Sequence, residues 1–126
     1  MMKKNKKIAL VLGLVTVVVG GIVVFAREKE PGRLDTFAQC LSEKKAVFYG
    51  AFWCPHCRVQ KQLFGSSEKY LTYVECSTPD GQAQKQTCID KRIESYPTWE
   101  FADGSRELGE VALSKLAEKT GCPLPE

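Results

Sequence analysis

The sequence predicts an α/β domain preceded by one N-terminal transmembrane helix. Three observations carry that expectation. A long apolar run follows four lysines near the N-terminus. Beyond it, stretches with helical periodicity alternate with short apolar runs of strand character. The most apolar of those runs, "AVFYGAFW", opens directly into "CPHC" and a helical pattern.

Lys3, Lys4, Lys6 and Lys7 precede the uncharged run 8–26, "IALVLGLVTVVVGGIVVFA". As a helix it is about long enough to cross a ~30 Å hydrocarbon core. The lysines are expected to stay cytoplasmic, which places everything after Arg27 on the other side. The expected layout is a basic cytoplasmic tail at 1–7, a membrane anchor at 8–26, a polar linker at 27–32 and a domain at 33–126. The expected location is the cell membrane, single-pass, with an extracytoplasmic domain. A cleavable signal peptide ending at Val24-Phe25-Ala26 is the alternative, although the apolar run exceeds the usual signal core. Both export the domain.

The formal charge of +3 belongs to the tail. From Arg27 onward 14 basic residues face 15 acidic ones, a net of −1, with no basic stripe. Nothing in that balance suits a nucleic acid partner. All six cysteines, Cys40, Cys54, Cys57, Cys76, Cys88 and Cys122, lie in the exported part. An even number of thiols in an oxidising compartment is expected to pair.

The elements follow in order. Leu34, Phe37, Ala38 and Leu41 have the spacing of one helix face, with Asp35 near the positive end of the helix dipole. Residues 46–53 are nearly continuously apolar, as a strand covered on both faces is. Pro55 suits the first turn of the next helix, for which Val59, Leu63 and Phe64 supply an apolar face before Gly65 ends it. Residues 71–76, "LTYVEC", form the next strand, and "STPDG" breaks it. A weak helix over 82–92 follows, with Ala83 and Ile89 as inward anchors. Two short strands then flank Asp103-Gly104 after Pro97. A last helix runs over 112–120, with Leu113, Leu116 and Ala117 on one side, and stops at Gly121.

Chemistry concentrates at Cys54 and Cys57. Thiol exchange needs a thiolate attacker and a second thiol near enough to resolve the mixed disulfide. A helix N-terminus offers unpaired N–H groups to a Cys54 thiolate and places Cys57 about one turn on. His56 can add positive charge beside it. Two alternatives compete. One is a zinc site shared with Cys76 and Cys88, whose spacing is not the short knuckle usual for such sites. The other is a structural disulfide, which would close too short a loop to constrain the unfolded chain much.

With "WCPHC" at a strand-to-helix junction and "YPTWEFADG" some way downstream, the chain resembles the thioredoxin family over about residues 33–121. "YGAFWCPHC", "YVECSTPDGQ" and "SYPTWEF" together look like the thioredoxin-like domain associated with bacterial homologues of vitamin K epoxide reductase. The resemblance implies a thioredoxin-like fold, a central mixed β-sheet flanked by helices. It also implies that the domain oxidises protein thiols and is reoxidised by a separate quinone-linked membrane oxidoreductase. No metal and no cofactor are expected. The Pro-His pair matches DsbA-type oxidants, which implies a more oxidising pair than that of thioredoxin. Pro97 corresponds to the family's cis-proline, which leaves the Tyr96 backbone free to pair with substrate, and Trp53 matches the aromatic before the nucleophile. The catalytic set is therefore Cys54, Cys57, His56 and Pro97, with Trp53, Tyr96 and Pro97 contacting substrate.

One departure stands out. Relatives keep a buried carboxylate six residues before the first cysteine, and this chain has Phe48 there. Glu75, ending the next strand, is a possible proton acceptor for Cys57 in its place.

Cys76 and Cys88 bracket "STPDGQAQKQT" and read as a structural disulfide, with a redox relay as the sharper alternative. Cys40 and Cys122 pair by elimination and would fasten the two ends of the domain. Functional alternatives are a disulfide reductase or isomerase arm, a non-catalytic thioredoxin-like binding module and, more weakly, copper delivery. The last lacks methionines beyond Met1 and Met2, and His56 is the chain's sole histidine.

Overall fold

The chain is described by a computed structural model over residues 31–126. The tail and anchor expected at 1–26, and the linker up to residue 30, lie outside these residues. Among the described residues no helix is long and apolar enough to cross a membrane.

Helix α1, Asp35–Glu43, forms on the face predicted for it: Phe37, Ala38 and Leu41 are fully buried. Its first turn is tied down by Asp35, whose carboxylate accepts the Gly32 N–H at 2.8 Å. Strand β1, Val47–Gly50, follows and occupies only the first half of the apolar run. After Gly50 the chain turns, with the Cys54 N–H donating to the Ala51 carbonyl at 3.0 Å. Phe52 and Trp53 emerge about half exposed, so their apolar character belongs to a surface rather than to a strand.

Within β1 successive side chains face opposite sides. Phe48 enters the main core with Phe37, Leu41, Phe64, Trp99 and Leu116. Tyr49 enters a smaller cluster with Ile93 and the half-cystines Cys76 and Cys88. Burial on both faces is why β1 shows no polar alternation.

Strand β2, Thr72–Glu75, pairs parallel to β1, in a register that sets Phe48 opposite Tyr73 and Gly50 opposite Glu75. On the other side of β1, strand β3, Thr98–Glu100, pairs antiparallel, with Trp99 opposite Phe48. Strand β4, Arg106–Leu108, completes a mixed sheet of order β2-β1-β3-β4. Gly104, at φ 81°, makes the β3–β4 turn, and the Asp103 carboxylate accepts the Ser105 N–H there.

The remaining helices are α2, Pro55–Phe64, α3, Gln86–Asp90, and α4, Leu113–Thr120, and a 3-10 turn over Gly65–Tyr70 follows α2. Two expectations need correction. The inner face of α2 is Cys57, Gln60 and Phe64, whereas Val59 and Leu63 are largely exposed. Gln60 can be buried because its amide satisfies both backbone groups of Val111, at 3.0 and 2.6 Å.

The helix expected over 82–92 shrinks to α3. Thr78 and Ala83 pair their backbones at 2.9 Å and Ser77 bridges to Gln84, which holds 82–85 in an extended turn. Ala83 and Ile89 both face solvent; the buried anchor is Cys88.

Both remaining cysteine pairs are bonded. Cys76 joins Cys88 across 12 residues, and Cys40 of α1 joins Cys122, just past α4, across 82. Because Cys76 and Cys88 bond each other, they are not free to complete a thiolate set with Cys54 and Cys57.

Candidate functional site

The site forms where β1 ends. Cys54 is the N-cap of α2, with extended backbone angles, and Pro55 fills the first helical position, where its missing N–H leaves nothing unsatisfied. The Cys57 N–H then donates to Cys54 Sγ at 3.2 Å. A sulfur thus stands where serine or aspartate oxygen usually caps a helix. That position faces the positive end of the helix dipole and suits a sulfur anion.

Cys54 and Cys57 are the two cysteines without a disulfide, and both are buried. Cys54 Sγ also lies 3.7 Å from the Tyr96 carbonyl, immediately before the Tyr96-Pro97 bond, which is cis. Pro97 itself is buried. Burial pushes the Cys57 thiol up to about 12, with Cys54 adding to the rise while the Ala51 backbone and Lys61 oppose it. Cys57 therefore holds its proton.

The flanks are built by neighbouring segments. Trp53, half exposed, donates its indole N–H to Ser77 Oγ at 2.9 Å and meets the Tyr96 ring edge-on at 5.9 Å. A Cβ on Gly81 would lie 3.6 Å from Trp53 and 3.7 Å from Phe52, so the loop closed by Cys76 and Cys88 backs both aromatics. That disulfide has no exposed surface of its own, and a relay role would require this loop to open. On the opposite side His56 Nδ1 meets Glu110 Oε1 at 2.6 Å on the protein surface. The Gly109 N–H donates to the Pro97 carbonyl at 2.8 Å, and Gln60 grips Val111. Residues 109–111 therefore connect the Pro97 loop to α2.

Phe48 is fully buried, stacked on Trp99 at 5.0 Å and edge-on to Tyr73 at 5.1 Å, with no carboxylate in its place. Glu75 lies close by but does not face Cys57 directly. Its Oε1 accepts the Phe52 and Ser77 N–H groups, at 3.2 and 2.9 Å, and its Oε2 accepts the Tyr73 hydroxyl at 2.7 Å. The structure therefore brings together Cys54, Cys57, Tyr96, Pro97 and Trp53, with His56 on the rim and Glu75 one side chain removed.

Sequence reasoning missed Tyr73, Gln60, Ser77 and Glu110. Tyr73 had a signal, since residues two apart on a strand share a face. Gln60 and Glu110 had none, because their partners are more than fifty residues away.

No protein-family model matches the chain. Among curated proteins, 94 residues are 44% identical to the thiol-disulfide oxidoreductase LTO1 of Arabidopsis thaliana, covering 71% of this chain and 24% of that protein. A further 84-residue match, 30% identical, is to the thioredoxin domain-containing protein 5 homolog of Drosophila melanogaster, covering 58% of this chain and 20% of that protein. The chain thus spans about a quarter or less of either relative. The four-stranded mixed sheet with flanking helices is a thioredoxin-like α/β fold, and its sequence is similar to proteins named for thiol–disulfide exchange and for thioredoxin domains.

Proposed function

We propose that this chain is a thiol–disulfide oxidoreductase that oxidises protein thiols through Cys54 and Cys57. The observation that carries the reading is Cys54 Sγ capping α2 with the Cys57 N–H directed at it. In the oxidised form a substrate thiolate attacks Cys54 Sγ, the Cys54–Cys57 bond breaks, and Cys57 leaves with the electron pair and takes up a proton. A second substrate thiolate then attacks the mixed disulfide, which frees Cys54 and completes the substrate disulfide. Two electrons now reside on the pair as a dithiol.

Trp53, Tyr96 and Pro97 line the approach to Cys54, and His56 adds charge at the helix end when protonated. Reoxidation falls to a quinone-linked membrane protein of the vitamin K epoxide reductase type, which the resemblance of "YVECSTPDGQ" and "SYPTWEF" supports. The run 8–26 anchors the chain in the cell membrane with the domain outside, supported by the four lysines before it.

The test is oxidation of a reduced dithiol protein by the full chain. Cys54→Ser and Cys57→Ser are each expected to abolish oxidation, and Cys57→Ser offered an oxidised protein disulfide is expected to trap it as a mixed disulfide on Cys54, with the other substrate sulfur leaving as a thiolate. An unchanged rate in Cys54→Ser removes the enzyme reading. A largely reduced pair in cells would reverse the direction of electron flow and make the chain a reductase or isomerase arm.

A further inference from the structure

Every turnover through Cys57 moves a proton. When Cys57 leaves Cys54 it must gain one, and when it closes the disulfide again it must lose one. Buried as it is, Cys57 needs a fixed route for that proton, and Phe48 provides none.

We propose that Tyr73, held by Glu75, relays the Cys57 proton, replacing the acid that Phe48 excludes. The inference rests on the exchange chemistry proposed above and names further residues of the same site.

Gly50 locates the relay. A Cβ there would lie 3.1 Å from Cys57 Sγ, 2.9 Å from Tyr73 Cε2 and 3.3 Å from Tyr73 Oη. The thiol and the phenol therefore face each other across a missing side chain. Tyr73 and Glu75 lie on the same face of β2, and the hydroxyl donates to Glu75 Oε2 at 2.7 Å. With its hydrogen committed to the carboxylate, Oη keeps lone pairs for a proton arriving from the Gly50 side, where Cys57 Sγ lies.

Glu75 cannot swing away, because two backbone N–H groups hold its other oxygen. Burial, and then the hydrogen bond to Glu75, hold the Tyr73 phenol far above its ordinary range. Tyr73 thus passes a proton along rather than surrendering one. Lys61 completes the cluster, with Nζ 3.6 Å above the Tyr73 ring. It lines a cavity of about 190 Å³ together with Ala51, Phe52, Cys57 and Arg58. Its charge favours the Cys57 anion.

In the closing step the Cys57 proton moves to Tyr73 Oη as the phenolic proton moves to Glu75. Cys57 Sγ then bonds Cys54 Sγ, and the partner thiolate leaves with the electron pair of the broken mixed disulfide. Glu75 returns the proton to solvent or to the leaving thiolate. The opening step runs the same transfers in reverse.

An aromatic disulfide reagent, 5,5′-dithiobis(2-nitrobenzoate), separates the two thiols. Added in excess to the full chain with Cys54 and Cys57 reduced, it releases one coloured thiolate when Cys54 attacks and a second when Cys57 closes the disulfide. Tyr73→Phe is expected to leave the first phase unchanged and to slow the second about 100-fold at neutral pH, the low end of general acid–base contributions. The lost rate should return as pH rises and hydroxide replaces the relay.

Glu75→Gln, which keeps a carbonyl for the two backbone N–H groups, should behave alike, and the double variant should be no slower than either single one. A second phase with wild-type rate and pH profile in either folded single variant overturns the relay, as do additive losses in the double variant. If the parent chain shows neither phase, the proposed function fails instead.

Discussion

Cys54 and Cys40 both sit at helix ends, yet one is a free thiol and the other half of a disulfide. Exposure does not explain the difference, since the free thiol is the more buried of the two. Cys40 is only half-buried, whereas Cys54 is 4% exposed. Helix polarity does. Cys54 precedes α2 and receives an N–H on its sulfur, whereas Cys40 lies in the last turn of α1, among carbonyls of which its own accepts the Lys44 N–H at 2.9 Å. A sulfur anion is favoured at the first position and disfavoured at the second. Cys54 and Cys40 are thus distinguished by which helix end they occupy.

The largest stability effect expected from this contrast is at Cys40–Cys122. Its loop of 82 residues gives about 4.5 kcal/mol in the chain-entropy model. The Cys40→Ser, Cys122→Ser double variant should lose about that much in denaturant unfolding while both phases of the aromatic disulfide reaction stay at their wild-type rates. A change in those rates under folding conditions would couple the two regions and break the comparison.

Cys76–Cys88 is the intermediate case. Its shorter loop gives about 3 kcal/mol on the same basis. It also holds the segment that carries Ser77 and Gly81 against Trp53 and Phe52. The Cys76→Ser, Cys88→Ser double variant should therefore lose stability and raise KM for a protein substrate, with kcat nearly unchanged. A fall in kcat at unchanged KM, in protein shown to be folded, would favour a redox relay over a brace.

Much of this arrangement was legible in the sequence, and the failures have specific causes. The helix-strand order and the position of Cys54 before Pro55 followed from periodicity and from proline's missing donor. The run 46–53 reads as all strand because apolar composition does not distinguish a covered strand from the exposed aromatics Phe52 and Trp53. The inner face of α2 is hidden from the sequence because Gln60 looks like a surface residue until Val111 supplies it with two partners. Glu75 reads correctly as the end of the strand beside the motif, whereas its hydrogen bond to Tyr73 is a matter of side-chain direction that spacing alone does not fix.

The smallest effect is expected on the rim, at His56 and Glu110. Their contact is short, 2.6 Å, but both side chains are open to solvent, so the pair contributes less than about 1 kcal/mol to stability. Its bearing on exchange is electrostatic. When His56 is protonated, the Glu110 carboxylate offsets a charge located two residues from Cys54. Glu110→Gln removes that offset without changing size, which should favour the Cys54 anion and speed the first phase by less than about fivefold, the equivalent of 1 kcal/mol. The gain should shrink as salt is added and vanish in the His56→Gln background. The second phase belongs to Cys57, which is buried while the His56–Glu110 pair is open to solvent, and should not move. If Glu110→Gln changes the second phase instead, the rim and the Tyr73 cluster are one electrostatic unit, and the division between the two thiols fails.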